Sequence, residues 1–224
     1  MPKIKAVLCD GGSILFSDIA TKNKPYEIIK QFMPISKEDF LQGYKKYKTK
    51  AQTEPNYSNS DALKDYLTEK EHAEIFDMIK KSGKIKEINK TGRLKLLEGV
   101  KEALQQIHEK NILFIILTDA TKTGKQLQPK LEQMGIAEYV TDIISSKDVG
   151  VKKPHEKFFN KALIRHGLRK DEVIFVAHDL DELKGAHDLG FEVFAVNYDE
   201  KEDLSFLPEK NKLKDFSELK KILD

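Results

Sequence analysis

Five short apolar runs, Ile4–Cys9, Ile112–Leu117, Tyr139–Ile144, Val173–Ala177 and Val193–Val196, constrain this chain more than any other feature. Each is rich in Val, Ile, Leu or Phe, and several lack the alternation of a strand with one wet face. Unalternating runs of this length are what strands look like when both faces are covered, as in a parallel sheet. Helical patterns lie between them. Leu97–Glu109 sets Val100, Leu104 and Ile107 at helical spacing, and Lys125–Met134 runs into Gly135. His155–His166 aligns Phe158, Phe159, Ala162 and Leu163 before Gly167. A glycine after a periodic stretch supplies the left-handed position that ends many helices. Strands alternating with helices predict an α/β fold built on a doubly wound parallel sheet.

Between residues 16 and 90 the texture changes to helical patterns with hardly any strand-like run. Ser36-Lys-Glu-Asp39 predicts the start of a helix carrying Phe40, Tyr44 and Tyr47. Thr68-Glu-Lys-Glu71 predicts a second, carrying Ile75, Met78 and Ile79, with Asn56–Ser60 as a polar link. The expected organisation is therefore a core from residues 1–15 and 91–224, with a small all-helical cap over residues 16–90, inserted after the first strand.

Composition removes several function classes. A formal net charge of +2 is too small to favour nucleic acid through counterion release. The single cysteine, Cys9, excludes a disulfide framework and a multi-cysteine zinc site. No apolar run is long enough to span a bilayer, and Met1-Pro-Lys-Ile-Lys5 lacks the apolar stretch of a signal peptide. The expectation is a cytoplasmic protein with a small-molecule substrate and neither nucleic-acid nor membrane partners.

In an open α/β sheet, ligands bind beyond the carboxyl ends of the strands. The residues that follow the runs are Asp10-Gly-Gly-Ser13, Thr118-Asp119 and His178-Asp-Leu-Asp-Glu182, with Gly150-Val-Lys-Lys-Pro154 before the fourth run. An acid, a hydroxyl, a lysine and an acidic cluster thus converge on one edge. A carboxylate can attack phosphorus and divide one hard displacement into two easier ones. A hydroxyl and an ammonium can bind phosphoryl oxygens, and further acids can hold Mg²⁺ through oxygen. Taken singly, each residue has a plainer reading: Asp10 as a turn residue before glycine, Thr118 as a strand end, and Asp179, Asp181 and Glu182 as acids starting a helix.

The order and spacing of these segments resemble the haloacid-dehalogenase-like hydrolase superfamily, in its subfamily with a helical cap after the first motif. Leu97-Glu-Gly-Val100 and the run from Leu131-Glu-Gln-Met-Gly-Ile136 through Ile143–Gly150 to Lys152-Lys-Pro154 carry most of the likeness. The resemblance implies Asp10 as nucleophile, Thr118 as the phosphoryl-binding hydroxyl and Lys153 as the neutralising lysine. It implies substrate contacts at Gly11, Ser13 and Asp119, and a metal held by Asp10, Gly12 and Asp179. The implied cofactor is Mg²⁺, or another divalent ion given His178 and Glu182, because imidazole nitrogen suits Zn²⁺ or Mn²⁺ better than Mg²⁺.

Two motifs depart from the family's phosphatases. Gly12 and His178 stand where a second aspartate and a motif-four acid are usual, and Gly12 cannot donate a proton; such acid catalysis is worth ~10²–10⁴-fold. Asp119 and His178 are substitute donors. The expected activity is a phosphatase acting on a small phosphorylated metabolite. The alternative is a catalytically impaired relative that binds a ligand or partner. A 2-haloacid dehalogenase is disfavoured, because the chain has no arginine before Arg93 and lysine lacks the bidentate fork.

Overall fold

The structure, a computed structural model, describes residues 4–18, 24–88 and 94–223. Strand β1 (Ala6–Asp10) is followed by β2 (Phe16–Asp18) and five helices: α1 (Lys24–Ile29), α2 (Lys37–Thr53), α3 (Asn59–Glu69), α4 (Ala73–Lys81) and α5 (Ile85–Ile88). The chain continues through β3 (Leu94–Leu96), α6 (Val100–Glu109), β4 (Leu113–Thr118), α7 (Gly124–Met134), β5 (Asp142–Ser145) and α8 (Ser146–Val149). It ends with α9 (Glu156–His166), β6 (Val173–Ala177), α10 (Leu180–Asp188), β7 (Glu192–Val196) and β8 (Lys212–Leu213).

Six strands form one parallel sheet in the order β5-β4-β1-β6-β7-β8. The pleat divides each strand between two cores. Val7, Cys9, Phe114 and Ile116 pack with Val100, Leu104, Ile107 and Leu131 of α6 and α7. Ala6, Leu8, Ile115 and Phe175 pack with Phe158, Phe159 and Leu183 of α9 and α10. All five β1 residues are buried, so the absence of alternation in the sequence reports a strand covered on both faces. Among the described residues, no helix is long and apolar enough to cross a membrane.

The helices between β2 and β3 have their own aromatic cluster. Phe40, Tyr44 and Tyr47 surround Tyr66, with edge-on centroid distances of 5.2 Å, 5.8 Å and 6.0 Å respectively. Such pairs add ~0.5–1.5 kcal/mol each beyond burial.

Several details differ from expectation. An unexpected helix, α3, starts at Asn59, inside the supposed polar link, because Ser58 and Asp61 form a reciprocal capping box. Thr68 lies in its last turn, donating back to Lys64 O at 2.9 Å, and α4 starts only after His72. Ile75 and Ile79 are buried, whereas Met78 is exposed. Tyr139 belongs to a 3₁₀ turn, so β5 starts at Asp142. The helix after β3 starts at Val100 because Gly99 is left-handed at φ 73°. Strand β8 was not expected, nor was the antiparallel ribbon of β2 and β3 at the roots of the helical insertion.

One buried lysine ties this insertion to the core. Lys147 of α8 donates from Nζ to Ala51 O at 2.9 Å, Tyr57 O at 2.6 Å and Glu54 O. The last carbonyls of a helix lack intrahelical donors and favour a cation, so an ammonium at the end of α2 meets both needs. Lys147→Met should therefore destabilise the protein by about 1–3 kcal/mol, the cost of buried acceptors losing a donor. A chain of this size loses roughly 2–4 °C in Tm per kcal/mol. Thermal unfolding followed by circular dichroism checks this, and an unchanged Tm would refute the latch.

Candidate active site

Asp10 ends β1, level with Leu117 of β4, and Cys9 is level with Val176 of β6. Thr118, the last residue of β4, and Asp119 just beyond it therefore emerge beside Asp10 on one side, and His178 emerges on the other. Because the chain leaves β1 for both flanks of the sheet, this edge is the topological switch point where doubly wound folds bind ligands.

The turn after Asp10 is tight. A Cβ on Gly11 would sit 3.1 Å from both Ile116 Cγ2 and Phe16 Cζ, so the position has little room for a side chain. Ser13 adopts φ 58°, its N–H donates to Phe16 O, and its carbonyl accepts from Asn197 Nδ2 at 2.9 Å. The loop after Thr118 is set by buried serines. Ser146 Oγ accepts from Ala120 N at 3.1 Å, while Asp148 accepts from Gly124 N at 2.8 Å and from Ser145. A Cβ on Gly124 would meet Ile143 O at 1.9 Å, so α7 can approach β5 only through glycine.

Lys153 is the centre of the site. Its side chain has no solvent exposure, and Nζ lies 2.6 Å from Asp10 Oδ1 and 2.7 Å from Glu182 Oε2. On the other side His178 Nδ1 is 3.2 Å from Asp10 Oδ2, a charge contact whose angle falls outside hydrogen-bond geometry. Burial opposes charge on Asp10, yet Lys153 and His178 together hold its carboxyl below the usual range. The same contact with Asp10 raises His178 above an ordinary imidazole, favouring the cation. Burial pushes Glu182 the other way, up to about 7, with Lys153 only partly offsetting it. Asp119 is also raised by burial, although Lys153 and Lys152 pull it down. Its Oδ1 accepts from Lys153 N at 3.3 Å, and its backbone carbonyl accepts from Gln52 Nε2 of α2 at 2.9 Å.

The structure thus joins Asp10, Lys153 and Asp119 directly and sets Thr118 one residue beyond the register pair of Asp10. Asp179 is different: it is exposed and caps α10 by accepting from Glu182 N at 3.2 Å. Glu182, one helical turn on, is the second carboxylate that Lys153 joins to Asp10. For a divalent ion, the donors at this edge are the Asp10 carboxylate, the Gly12 carbonyl and Glu182 or Asp179. His178 Nδ1 stands beside them as a buried atom with no hydrogen-bond partner. Among the described residues no group of three His, Cys, Asp or Glu side chains is placed to hold a metal ion. Mg²⁺ keeps several waters and needs only one or two carboxylates plus substrate oxygens, so the carboxylates at this edge would be enough for it.

A doubly wound sheet that brings an aspartate, a hydroxyl, a buried lysine and acids to its switch point has the groups needed to bind and polarise a phosphoryl group. The comparisons make the class specific. Residues 21–196 match the family model of the haloacid dehalogenase-like hydrolases, and the chain belongs to that family. A ribulose-1,5-bisphosphate 5-phosphatase from Halopiger xanaduensis is 32% identical over 49% of this chain and 46% of its own length. The chain spans about half the length of the curated relatives it matches. The crystal structure of a predicted phosphoglycolate phosphatase from Haemophilus somnus superposes over 100% of both chains with a TM-score of 0.68 and 20% identity, a likeness of fold. A hydrolase of the same superfamily from Bacillus subtilis, solved bound to magnesium, superposes over 99% of each chain with a TM-score of 0.64 and 18% identity.

Sequence reasoning missed Gln52 and Lys147, which reach the site and its neighbourhood from other elements. Gln52 carried no local signal, since it lies in a stretch that reads as ordinary helix, and Lys147 stands within the Ile143–Gly150 run without anything to single it out. It also passed over Gly185, where a Cβ would come 2.3 Å from Pro154 Cβ. Only glycine lets α10 press on the segment that carries Lys153.

Two outcomes follow. Lys153→Met leaves two buried carboxylates without their cation and should cost about 3–5 kcal/mol. Without Lys153 the folded-state pKa values of Asp10 and Glu182 rise above their unfolded values, so ionisation opposes folding. The Tm deficit relative to wild type should therefore be larger at pH 8 than at pH 5, and a pH-independent deficit would contradict the pairing. Gly185→Ala should destabilise by about 1–3 kcal/mol through overpacking, measured by urea unfolding; a neutral substitution would show that α10 has slack against Pro154.

Proposed function

We propose that this protein hydrolyses small phosphomonoesters through an aspartyl-phosphate on Asp10. The observation that carries this reading is Asp10 itself, kept ionised at the switch point by Lys153 on one oxygen and His178 at the other. An ionised carboxylate can attack phosphorus as the ester P–O bond breaks and the leaving oxygen departs with its electron pair. Water then attacks the phosphorus of the aspartyl-phosphate, releasing phosphate and restoring the Asp10 carboxylate. Lys153 balances the charge of nucleophile and phosphoryl group throughout, and Thr118 offers its hydroxyl to a phosphoryl oxygen.

Because Gly12 carries no acid, the proton for the leaving oxygen comes from Asp119, whose carboxyl burial raises, or from His178, whose protonated form the contact with Asp10 favours. A divalent ion held by Asp10, the Gly12 carbonyl and Glu182 or Asp179 would supply Lewis-acid stabilisation of phosphoryl oxygens. The helices between β2 and β3 serve in this reading as a cap of residues 16–90 over a core of residues 1–15 and 91–224, and the partner is a small-molecule substrate. One observation favours a second reading, a binding protein that has lost turnover: His178 stands against Asp10 at the position where the family has a motif-four acid.

Purified protein assayed on an aryl phosphate with Mg²⁺, Mn²⁺, Zn²⁺, Co²⁺ or chelator, beside Asp10→Asn, separates the two. Metal-dependent turnover that falls to background in Asp10→Asn is the expected result. Silence on this substrate and on a panel of phosphorylated metabolites, with every metal, would overturn the phosphatase reading in favour of the binding protein.

A further inference from the structure

The site has a second cluster of charge where the helical insertion meets the core. Gln52 of α2 is 6% exposed and donates from Nε2 to the backbone carbonyl of Asp119 at 2.9 Å, which lays one face of α2 against the edge carrying Asp10. Lys48 lies four residues earlier, so it shares that face. From the core, Lys152 Nζ approaches Asp119 Oδ2 at 3.7 Å. Lys48 is exposed on its outer side, yet partial desolvation against the core, followed by the repulsion of Lys152, lowers its ammonium below its ordinary value, with Asp119 opposing the shift.

Charge bookkeeping at this spot leaves a surplus. Lys153 is balanced by Asp10 and Glu182, whereas Lys152 has only Asp119, a carboxylate whose ionisation burial disfavours, and Lys48 feels the same carboxylate from farther away. Among the described residues no other carboxylate lies within ion-pair distance of Lys152, and none lies within it of Lys48. Two cations that share one reluctant anion form a place for another anion. The remaining oxygen of the Gln52 amide, Oε1, is buried without a donor. An unsatisfied buried acceptor costs about 1–3 kcal/mol, so the same spot also offers a hydrogen bond to a ligand or water.

We propose that Lys48 and Lys152, positioned by Gln52 and Asp119, form a subsite for a second anionic group of the substrate. The preferred substrates are then small phosphomonoesters that also carry a carboxylate or a second phosphoryl group. The phosphoryl group that reacts sits at Asp10 and Lys153, and the second anion reaches toward α2. Catalytic turnover of such substrates rests on the phosphatase reading; the subsite itself does not.

The test compares 2-phosphoglycolate with ethyl phosphate, which matches its two-carbon skeleton but lacks the carboxylate, and uses pyrophosphate to separate carboxylate from phosphoryl. Wild type should prefer 2-phosphoglycolate or pyrophosphate over ethyl phosphate by about tenfold or more in kcat/KM, the scale of one charge-assisted contact. In Lys48→Ala/Lys152→Ala this preference should collapse toward unity, mainly through KM, while Lys48→Arg retains most of it. An unchanged preference in the double variant, or none in wild type, overturns the proposal. If wild type turns over none of the three, calorimetric binding to Asp10→Asn decides. At least tenfold tighter binding of 2-phosphoglycolate or pyrophosphate than of ethyl phosphate, lost when Lys48 and Lys152 are also replaced by alanine, upholds the subsite while the phosphatase reading fails. Equal affinities overturn it.

Discussion

An ammonium group sealed from solvent is stable only where its charge is met at close range, because desolvating an unpaired ion costs several kcal/mol even after relaxation. Lys153 meets this condition with carboxylates from two different elements, Asp10 at the end of β1 and Glu182 in α10. Much of the local architecture is needed to bring them together. The parallel register places the ends of β1 and β6 level, and Gly185 lets α10 settle on Pro154. The Asp119 carboxylate holds the Lys153 backbone N–H. The lysine is thus both the electrostatic centre of the site and the point where sheet, helix and loop are fastened together.

The same nitrogen splits the behaviour of its two acids. Asp10 feels Lys153 and His178 together and stays ionised, whereas Glu182 is more governed by burial and rises to about 7. Neighbouring carboxyl groups can be pushed in opposite directions by their surroundings alone. Here the difference comes from placement: Asp10 has Lys153 at one oxygen and the His178 imidazole at the other, whereas Glu182 has only a share of Lys153.

The α/β class and five of the six sheet strands were legible because a doubly covered strand writes itself as a continuous apolar run, as Val173–Ala177 does. Asp10, Lys153 and Asp119 were legible because strand ends and the Lys-Pro segment fix where chemistry can converge. What stayed hidden was set by distance in sequence. β8 is two residues long and exists by pairing with β7. Helix α3 was missed, and the helix carrying Ile75 and Ile79 was started too early, because Ser58-Asn-Ser-Asp61 and Thr68-Glu-Lys-Glu71 are equally good start signals and packing of Ala62, Leu63 and Tyr66 makes the first a start and the second an end. That Glu182 and not Asp179 pairs with Lys153 was invisible too, since both acids suit the start of a helix and only the position of Lys153 distinguishes them.

The latch at Lys147 has a mechanical corollary. It grips α2 at its final turn and the following segment, at Ala51, Glu54 and Tyr57, while Lys37, some 16 residues away, makes no such attachment to the core. The far half of α2 is held instead within the helical insertion, where Phe40 and Tyr44 pack against Tyr66 of α3. The helix is thus fastened by polar bonds at the end nearest the chemistry and by aromatic packing at the end farthest from it. Parting the insertion from the core would leave the aromatic end with its partners but strip the Ala51, Glu54 and Tyr57 carbonyls of the ammonium that serves them.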